Sequence, residues 1–158
     1  MDLILDELAN SFPDAREAIR VTIRLIAALL AGALIGLQRE RSGKAAGLRT
    51  HMLVCMGTAL FVIAGTQIGM EQDAMSRVIQ GLATGIGFLG AGAILKTEST
   101  REIHGLTTAA GIWMTAAIGV AVGLGHLGTA LIGVLFAWLV LAVVLKLEAR
   151  IDGSNDRA

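Results

Sequence analysis

The stretch that decides the fold is Val78–Leu95, VIQGLATGIGFLGAGAIL, an apolar run of membrane-spanning length. It carries five glycines, at Gly81, Gly85, Gly87, Gly90 and Gly92. Glycine destabilises an exposed helix in water by about 1 kcal/mol relative to alanine. In a bilayer, however, unpaired backbone groups are so costly that the chain stays helical, and small residues let neighbouring helices approach closely. We therefore expect this run to be the crowded centre of a helical membrane bundle.

The same run contains a match to a nucleotide-binding pattern, GxGxxG, at Gly85-Ile-Gly87-Phe-Leu-Gly90. In dinucleotide-binding folds this pattern follows a strand and opens a helix within a βαβ unit. Here no strand pattern precedes it, and the sequence stays apolar on both sides. The match therefore does not predict a nucleotide site.

The composition of the whole chain is that of a membrane protein. Of its 158 residues, 54% are hydrophobic and 16% are charged, with a mean hydropathy of +0.70, whereas soluble domains carry about 25% charged residues. Five apolar runs approach the ~20 residues that cross a bilayer: Val21–Leu37, Met52–Met70, Val78–Leu95, Leu106–Leu124 and Leu127–Leu145. The prediction is an all-α polytopic bundle, with an extramembrane segment 1–20, a membrane domain 21–145 and a tail 146–158.

The distribution of positive charge predicts the orientation of the chain. Nine of the thirteen cations fall on one side of a five-span arrangement: Arg39, Arg41, Lys44, Arg49, Lys96, Arg101, Lys146, Arg150 and Arg157. The positive-inside rule then places the amino terminus outside and the tail in the cytoplasm. The link Gly125-His126 is so short that the last two spans could instead form a re-entrant hairpin, which would move the tail to the other side.

Small residues spaced four apart predict close helix packing in several spans. GxxxG pairs occur at Gly32/Gly36, Gly65/Gly69, Gly81/Gly85 and Gly119/Gly123, and Gly111 and Thr115 extend the last of these. Together with Gly87 and Gly90, these glycines are the predicted packing residues. Packing within one chain and packing between two copies both fit the pattern. The expected partners are the lipid bilayer and further copies of the chain in a homo-oligomer, with a dimer favoured.

Polar residues near or within the spans are the candidate functional positions, because they are costly there. Asp73, Arg77 and Gln80 share one helix face and could form an outer polar cluster with Arg24, or could simply mark a solvated helix entry. The further candidates are Arg39, Glu40 and Arg49 in the cytoplasmic loop, which could merely face lipid, and Thr84 and Thr107 within the spans. Thr107 and Thr108 could equally act as helix caps.

The sequence shows no spacing of residues that is typical of catalysis or of metal binding. His51, His104 and Cys55 lack the spacing of a metal site, and we find no nucleophile–base pair and no phosphate-binding loop. Cys55 lies within an apolar span and is expected to be a packing residue. The sequence predicts no enzyme, no cofactor and no nucleic-acid partner.

Four motifs occur in an order that resembles the MgtC/SapB family of bacterial inner-membrane proteins: GALIGLQRE, AGLRTHMLVCMGTA, DAMSRVIQGLATGIGFLGAGAIL and HGLTTAAGIWMTAAIGVAVG. The resemblance covers Ile19–Leu145 and is to the short, membrane-domain-only branch. The chain has Gln38-Arg39 where family members often carry Glu-Arg, and Thr107 where the virulence-associated branch has asparagine. The resemblance implies five spans in the bacterial cytoplasmic membrane and a link to growth at low magnesium.

These observations lead to two functional hypotheses. The first is a non-enzymatic regulator in magnesium-linked ion or stress homeostasis, acting through helix contacts with a second copy or with other membrane proteins. The resemblance supports it, since one branch of the family is thought to act on membrane proteins that include the proton-driven ATP synthase. The alternative is a small ion transporter or channel with a polar path at the third and fourth helices. A polar cavity inside the bundle would favour the alternative.

Overall fold

The computed structural model describes residues 14–96 and 103–144, which form a bundle of helices. Its α-helices are α1 (Ala15–Arg41), α2 (Leu48–Gln67), α3 (Gln72–Ala93), α4 (Leu106–Gly123) and α5 (Leu127–Leu139), and α5 continues into a π-helical turn, Val140–Val144. A two-residue antiparallel hairpin, β1 (Leu95–Lys96) and β2 (Ile103–His104), joins α3 to α4. The predicted tail 146–158, most of the predicted segment 1–20 and the loop around Arg101 lie outside the described residues.

The helices start and end close to the predicted spans, with one extension at the amino end. α1 begins six residues before the predicted first span, because the Asp14 carboxylate accepts a hydrogen bond from the Glu17 backbone N–H at 2.7 Å. This cap satisfies one of the free donors of the first turn. α1, α2 and α4 are long and apolar enough to cross a membrane. The charged and amide residues of the first turns of α3, together with its glycines, lower its mean hydropathy.

The helix α4 forms the centre of the bundle and contacts the other four α-helices. Its buried residues include Gly111, Thr115, Gly119 and Gly123, one on each turn of a single face. This face packs on α2, where a Cβ added at Gly123 would lie 2.7 Å from the Cβ of Val62 and 2.8 Å from the Ala59 carbonyl oxygen. The backbones of the two helices therefore approach as closely as small residues allow.

A second glycine contact joins α1 to α2. A Cβ at Gly32 would lie 2.5 Å from the carbonyl oxygen of His51, and one at Gly36 would lie 2.7 Å from the Cα of Leu48. Alanines, Ile35 and Cys55 fill the space around these contacts. Three helices, α1, α2 and α4, thus form one tightly packed unit.

The helix α3 differs from the sequence prediction, because it lies at the edge of the chain and not at its centre. Only Met75, Ile86 and Gly90 are buried in it. No atom outside the glycine's own helix comes within 4 Å of a Cβ added at Gly81, Gly85, Gly87 or Gly92, and Gly90 makes only an ordinary contact with Ala109. The glycines of the deciding run therefore do not serve close packing within one chain.

The outside of the bundle is apolar, as expected of a surface that faces lipid. Phe88 is 81% exposed, Phe61 63% and Phe136 63%, and many leucine and isoleucine side chains are more than half exposed. A soluble protein rarely leaves so large a continuous apolar surface open.

Candidate functional site

A fully buried arginine lies at the end of the bundle where α1 ends and α2 and α4 begin. Arg39, in the last turn of α1, is 0% exposed. Its Nη2 donates a hydrogen bond to the hydroxyl of Thr108 at 3.1 Å. Its Nε and Nη1 are buried without a partner among the described residues. Burying a charge without a counter-charge is strongly unfavourable, so this arginine is the most unusual polar group in the structure.

A buried histidine approaches α4 from the first turn of α2. His51 is 0% exposed, and its Nδ1 lies 2.9 Å from the carbonyl oxygen of Gly47. A carbonyl only accepts, so Nδ1 carries the proton and Nε2 is left as an acceptor in the neutral ring. Nε2 is buried without a partner and lies 3.5 Å from the position of a Cβ at Gly111.

The two groups converge on neighbouring turns of α4. Arg39 reaches Thr108, and His51 reaches Gly111, three residues farther along. Residues three apart lie on the same helix face, about 5–6 Å from one another. An arginine with unsatisfied donors and a histidine with an unsatisfied acceptor therefore contact neighbouring turns of α4. We call Arg39, His51, Thr108 and Gly111 the buried polar cluster.

The predicted neighbours of Arg39 are engaged elsewhere. The Glu40 carboxylate accepts a hydrogen bond from the Leu48 backbone N–H at 2.8 Å and so caps the start of α2, and its side chain is exposed. Arg49 is exposed and, with Glu40 and Lys44, lines a polar cavity of about 260 Å³ on the α1–α2 loop. No ion pair joins Arg39 to Glu40 or to another carboxylate in residues 14–96 and 103–144.

Gln38 ties the same end of α1 to the π-helical turn. Its Nε2 donates to the carbonyl oxygen of Leu141 at 2.9 Å. A π turn frees a backbone carbonyl from the regular ladder, and the Gln38 amide takes up that acceptor. Its Oε1 remains buried without a partner.

At the other end of the bundle, Arg24 is bound to α4. Its Nη1 donates to the Gly123 carbonyl oxygen at 2.9 Å, and its guanidinium lies against Gly125 in the α4–α5 turn. Gly125 has a φ of +84°, a conformation that side chains disfavour. Arg24 therefore caps the carboxyl end of α4.

The outward side of α3 carries the remaining predicted residues. We define the outer face of α3 by its exposed positions with spacings of four and three, opposite the buried Met75 and Ile86: Asp73, Arg77, Gln80, Thr84, Gly87 and Ala91. The Thr84 hydroxyl donates to the Gln80 carbonyl oxygen at 2.9 Å. The side chains of Asp73, Arg77 and Gln80 have no partner within the described part of the chain. The structure does not bring them together with Arg24, so the suggested outer cluster of four residues does not form within one chain.

The sequence pattern did not single out two members of the buried polar cluster. Thr107, which was predicted, is exposed, whereas its neighbour Thr108 is buried against Arg39. His51 was considered only as a metal ligand. The described residues contain no group of three or more histidine, cysteine or acidic side chains that could hold a metal.

The grooves of the bundle open sideways. One of about 710 Å³ lies between α2 and α3 and is lined by apolar residues and glycines, among them Leu53, Gly57, Phe61, Gly81 and Gly85. Another of about 280 Å³ lies between α4 and α5 and is also mainly apolar, with Gly111 and Met114 in its wall. Between α1, α2 and α4 the glycine contacts close the interior.

Known relatives cover most of this chain. SrpB of Synechococcus elongatus is 45% identical over 139 residues, which is 81% of this chain and 76% of SrpB. YhiD of Escherichia coli K12, which carries the name of a candidate magnesium transporter, is 42% identical over 143 residues, 84% of this chain and 64% of YhiD. MgtC of Salmonella typhimurium is 42% identical over 109 residues, 69% of this chain and 46% of MgtC.

The matched region is thus about half to three quarters of the length of these relatives. No solved structure matches the chain. The sequence model of the MgtC family matches residues 25–150, and with the relatives and the apolar helices this places the protein in the bacterial membrane. The chain belongs to the MgtC family.

Proposed function

We propose that this protein is a non-enzymatic regulator in magnesium-linked ion or stress homeostasis that acts through helix contacts in the membrane. The family and the names of its members support the link to magnesium or stress. The observation that carries the regulatory part is the outer face of α3, which points away from its own chain although it contains the most polar residues of the helix.

The outer face of α3 is better suited to a protein neighbour than to lipid. Gln80 lies eight residues into α3, about 12 Å along the helix from Gln72, and its amide has no partner in the described part of the chain. An amide facing hydrocarbon is unfavourable, whereas an amide hydrogen-bonded across a helix interface contributes about 0.6–2 kcal/mol. A second helix on this face would therefore lower the free energy of the membrane-embedded chain.

The spacing and charges of the face fit a second copy of the same chain. Spacings of four and three along a helix are those of a left-handed helix pair. Two copies inserted in the same orientation place their α3 helices parallel, and a two-fold axis puts Gln80 opposite Gln80. The same axis sets Arg77 opposite Arg77, and the Asp73 carboxylates, one turn away, supply the opposite charge. Thr84, Gly87 and Ala91 are small enough for close approach.

Cysteine cross-linking in native membranes tests this contact. In a Cys55→Ala background, we expect Thr84→Cys, Gly87→Cys and Ala91→Cys to form disulfide-linked dimers several-fold more readily than Ala83→Cys. Ala83 is also exposed but points to another side of α3. The unmodified chain is the negative control, because its Cys55 is fully buried and should form no disulfide-linked dimer. Equal cross-linking at Ala83 and Thr84, or none at the outer face, would overturn the contact.

A growth assay tests the role of the contact in regulation. The variant Gln80→Leu should lose complementation of a deletion strain at low magnesium while still accumulating in the membrane. Normal complementation by a variant that no longer cross-links would contradict the regulatory proposal.

The alternative is a small ion transporter or channel, and the name carried by YhiD favours it. A transporter requires a polar cavity near the middle of the membrane. The closed interface between α1, α2 and α4 and the apolar walls of the lateral grooves favour the regulator.

A further inference from the structure

We propose that the buried polar cluster binds a small oxyanion that retains a proton, such as hydrogenphosphate or hydrogencarbonate. This inference concerns the end of the bundle where α1 ends and α2 and α4 begin, and it does not depend on the proposed contact between copies. It rests on the side-chain atoms of Arg39 and His51 that are buried without partners.

The charge of Arg39 requires a counter-charge. A guanidinium is always protonated in proteins, and removing it from water without an anion costs several kcal/mol. The nearest carboxylate in sequence, Glu40, is exposed and bonded to Leu48. The only described ion pair, Arg20 with Glu17, lies at the far end of α1. An anion from outside the described part of the chain would remove this penalty.

The free atoms of Arg39 specify the shape of the anion. Nη2 gives one of its two hydrogens to Thr108, so its second hydrogen, Nε–H and the hydrogens of Nη1 remain as donors. Arginine pairs with carboxylate-like groups through two parallel hydrogen bonds, one from Nη2 and one from Nε or Nη1. An anion with two or three oxygens around one centre, such as carbonate or phosphate, meets this requirement with two separate acceptor atoms, whereas a halide offers only one.

His51 adds the requirement for a proton. Its Nδ1–H is held by the Gly47 carbonyl, so its Nε2 needs a donor. Hydrogenphosphate and hydrogencarbonate offer acceptor oxygens to Arg39 and an O–H to His51. A simple carboxylate offers the acceptors alone.

Gly111 fits a ligand at this position. Apart from the helix backbone, Nε2 of His51 is the contact that a Cβ at Gly111 would meet, at an ordinary 3.5 Å. A methyl group there would fit without a clash and would occupy the approach to Nε2. Gly111→Ala is therefore a variant that should fold and should bind the anion less tightly.

Thermal unfolding of the purified protein in detergent tests the site. The probes are sodium phosphate and sodium hydrogencarbonate, with sodium chloride at matched ionic strength as the reference. A ligand that binds only the folded state raises Tm with concentration, so we expect a saturable rise with at least one oxyanion and none with chloride. Arg39→Met should abolish the rise, and Gly111→Ala should shift its midpoint at least several-fold to higher concentration. Arg41→Met, an exposed arginine two residues away, should leave it unchanged.

The stability of the variants without added oxyanion also distinguishes an anion-binding arginine from a purely structural one. Without an added oxyanion, Arg39→Met should be at least as stable as the unmodified chain, because it removes an unpaired buried charge. If Arg39→Met fails to fold, saturable binding of radiolabelled phosphate or hydrogencarbonate by the unmodified chain and its weakening in Gly111→Ala still test the site. No specific oxyanion response, an unchanged response in Gly111→Ala, or replacement of the response by added phosphatidylglycerol would overturn the proposal.

Discussion

Gly119 shows how a single residue sets the packing of the bundle. It lies on α4 where this helix crosses α2, and an added Cβ would collide with the Thr58 hydroxyl and the Cys55 carbonyl oxygen. Thr58 is itself fixed, because its hydroxyl donates to backbone carbonyls of its own helix. Neither neighbour can move without displacing the α2 backbone.

We therefore expect Gly119→Ala to lower the free energy of unfolding by about 1–3 kcal/mol, the usual cost of overfilling a packed interior. Gly57→Ala is the matched control, because Gly57 lies in α2 with nothing within 4 Å of an added Cβ. Its Tm in detergent should equal or slightly exceed that of the unmodified chain. Equal Tm values for the two variants would contradict the packing described for α2 and α4.

A substitution of Arg24 tests whether this residue caps the carboxyl end of α4. Its hydrogen bond to the Gly123 carbonyl involves a charged donor, and such bonds contribute about 1.5–3 kcal/mol when buried. Arg24 is only half-buried, so Arg24→Leu should lower stability by about 1 kcal/mol or more. The control, Arg20→Leu, removes an exposed pair with Glu17 at 3.6 Å and should change Tm little. A smaller loss in Arg24→Leu than in Arg20→Leu would refute the role of this cap.

At the scale of elements, α3 is the helix whose sequence and position disagree. Its glycines are those of a closely packed helix, yet its own chain covers only one side of it. Gly81 and Gly85 line the groove between α2 and α3, whereas Gly87 lies on the outer face of α3. A second protein on the outer face would cover Gly87 and make α3 an inner helix of an assembly.

The contribution of Gln80 to this assembly is measurable. Loss of an interhelical amide pair worth about 0.6–2 kcal/mol should lower the dimer association constant about 3- to 30-fold in Gln80→Leu, measured by energy transfer between labelled copies in vesicles. Gln72→Leu is the control, because Gln72 lies at the start of α3, outside the outer face. Equal association of the two variants would remove Gln80 from the interface.

At the scale of the whole molecule, the sequence predicted the helices better than their arrangement. Apolar runs of bilayer length predict spans directly, and each described helix overlaps one of them. The spacing of Gly85 and Gly87 indicates a face for close approach, but it does not say which helix supplies the opposing surface. The sequence pattern therefore could not predict that α3 lies at the edge of the chain.

The sequence pattern could not predict the buried polar cluster either, for a related reason. Arg39, His51 and Thr108 come from the ends of three helices and meet only when α1, α2 and α4 assemble. Taken separately, each has an ordinary explanation as a loop cation, a lone histidine or a cap. Their unsatisfied atoms become visible only in three dimensions.

The central claim is that the bundle works through contacts and does not conduct ions. Ion flux into liposomes that contain the purified protein tests it most directly, with magnesium-, sodium- and proton-sensitive dyes and with Asp73→Asn and Arg77→Ala as comparison variants. The account predicts flux no higher than in protein-free liposomes for the unmodified chain and for both variants. Reproducible flux through the unmodified chain that is lost in Asp73→Asn or Arg77→Ala would contradict it.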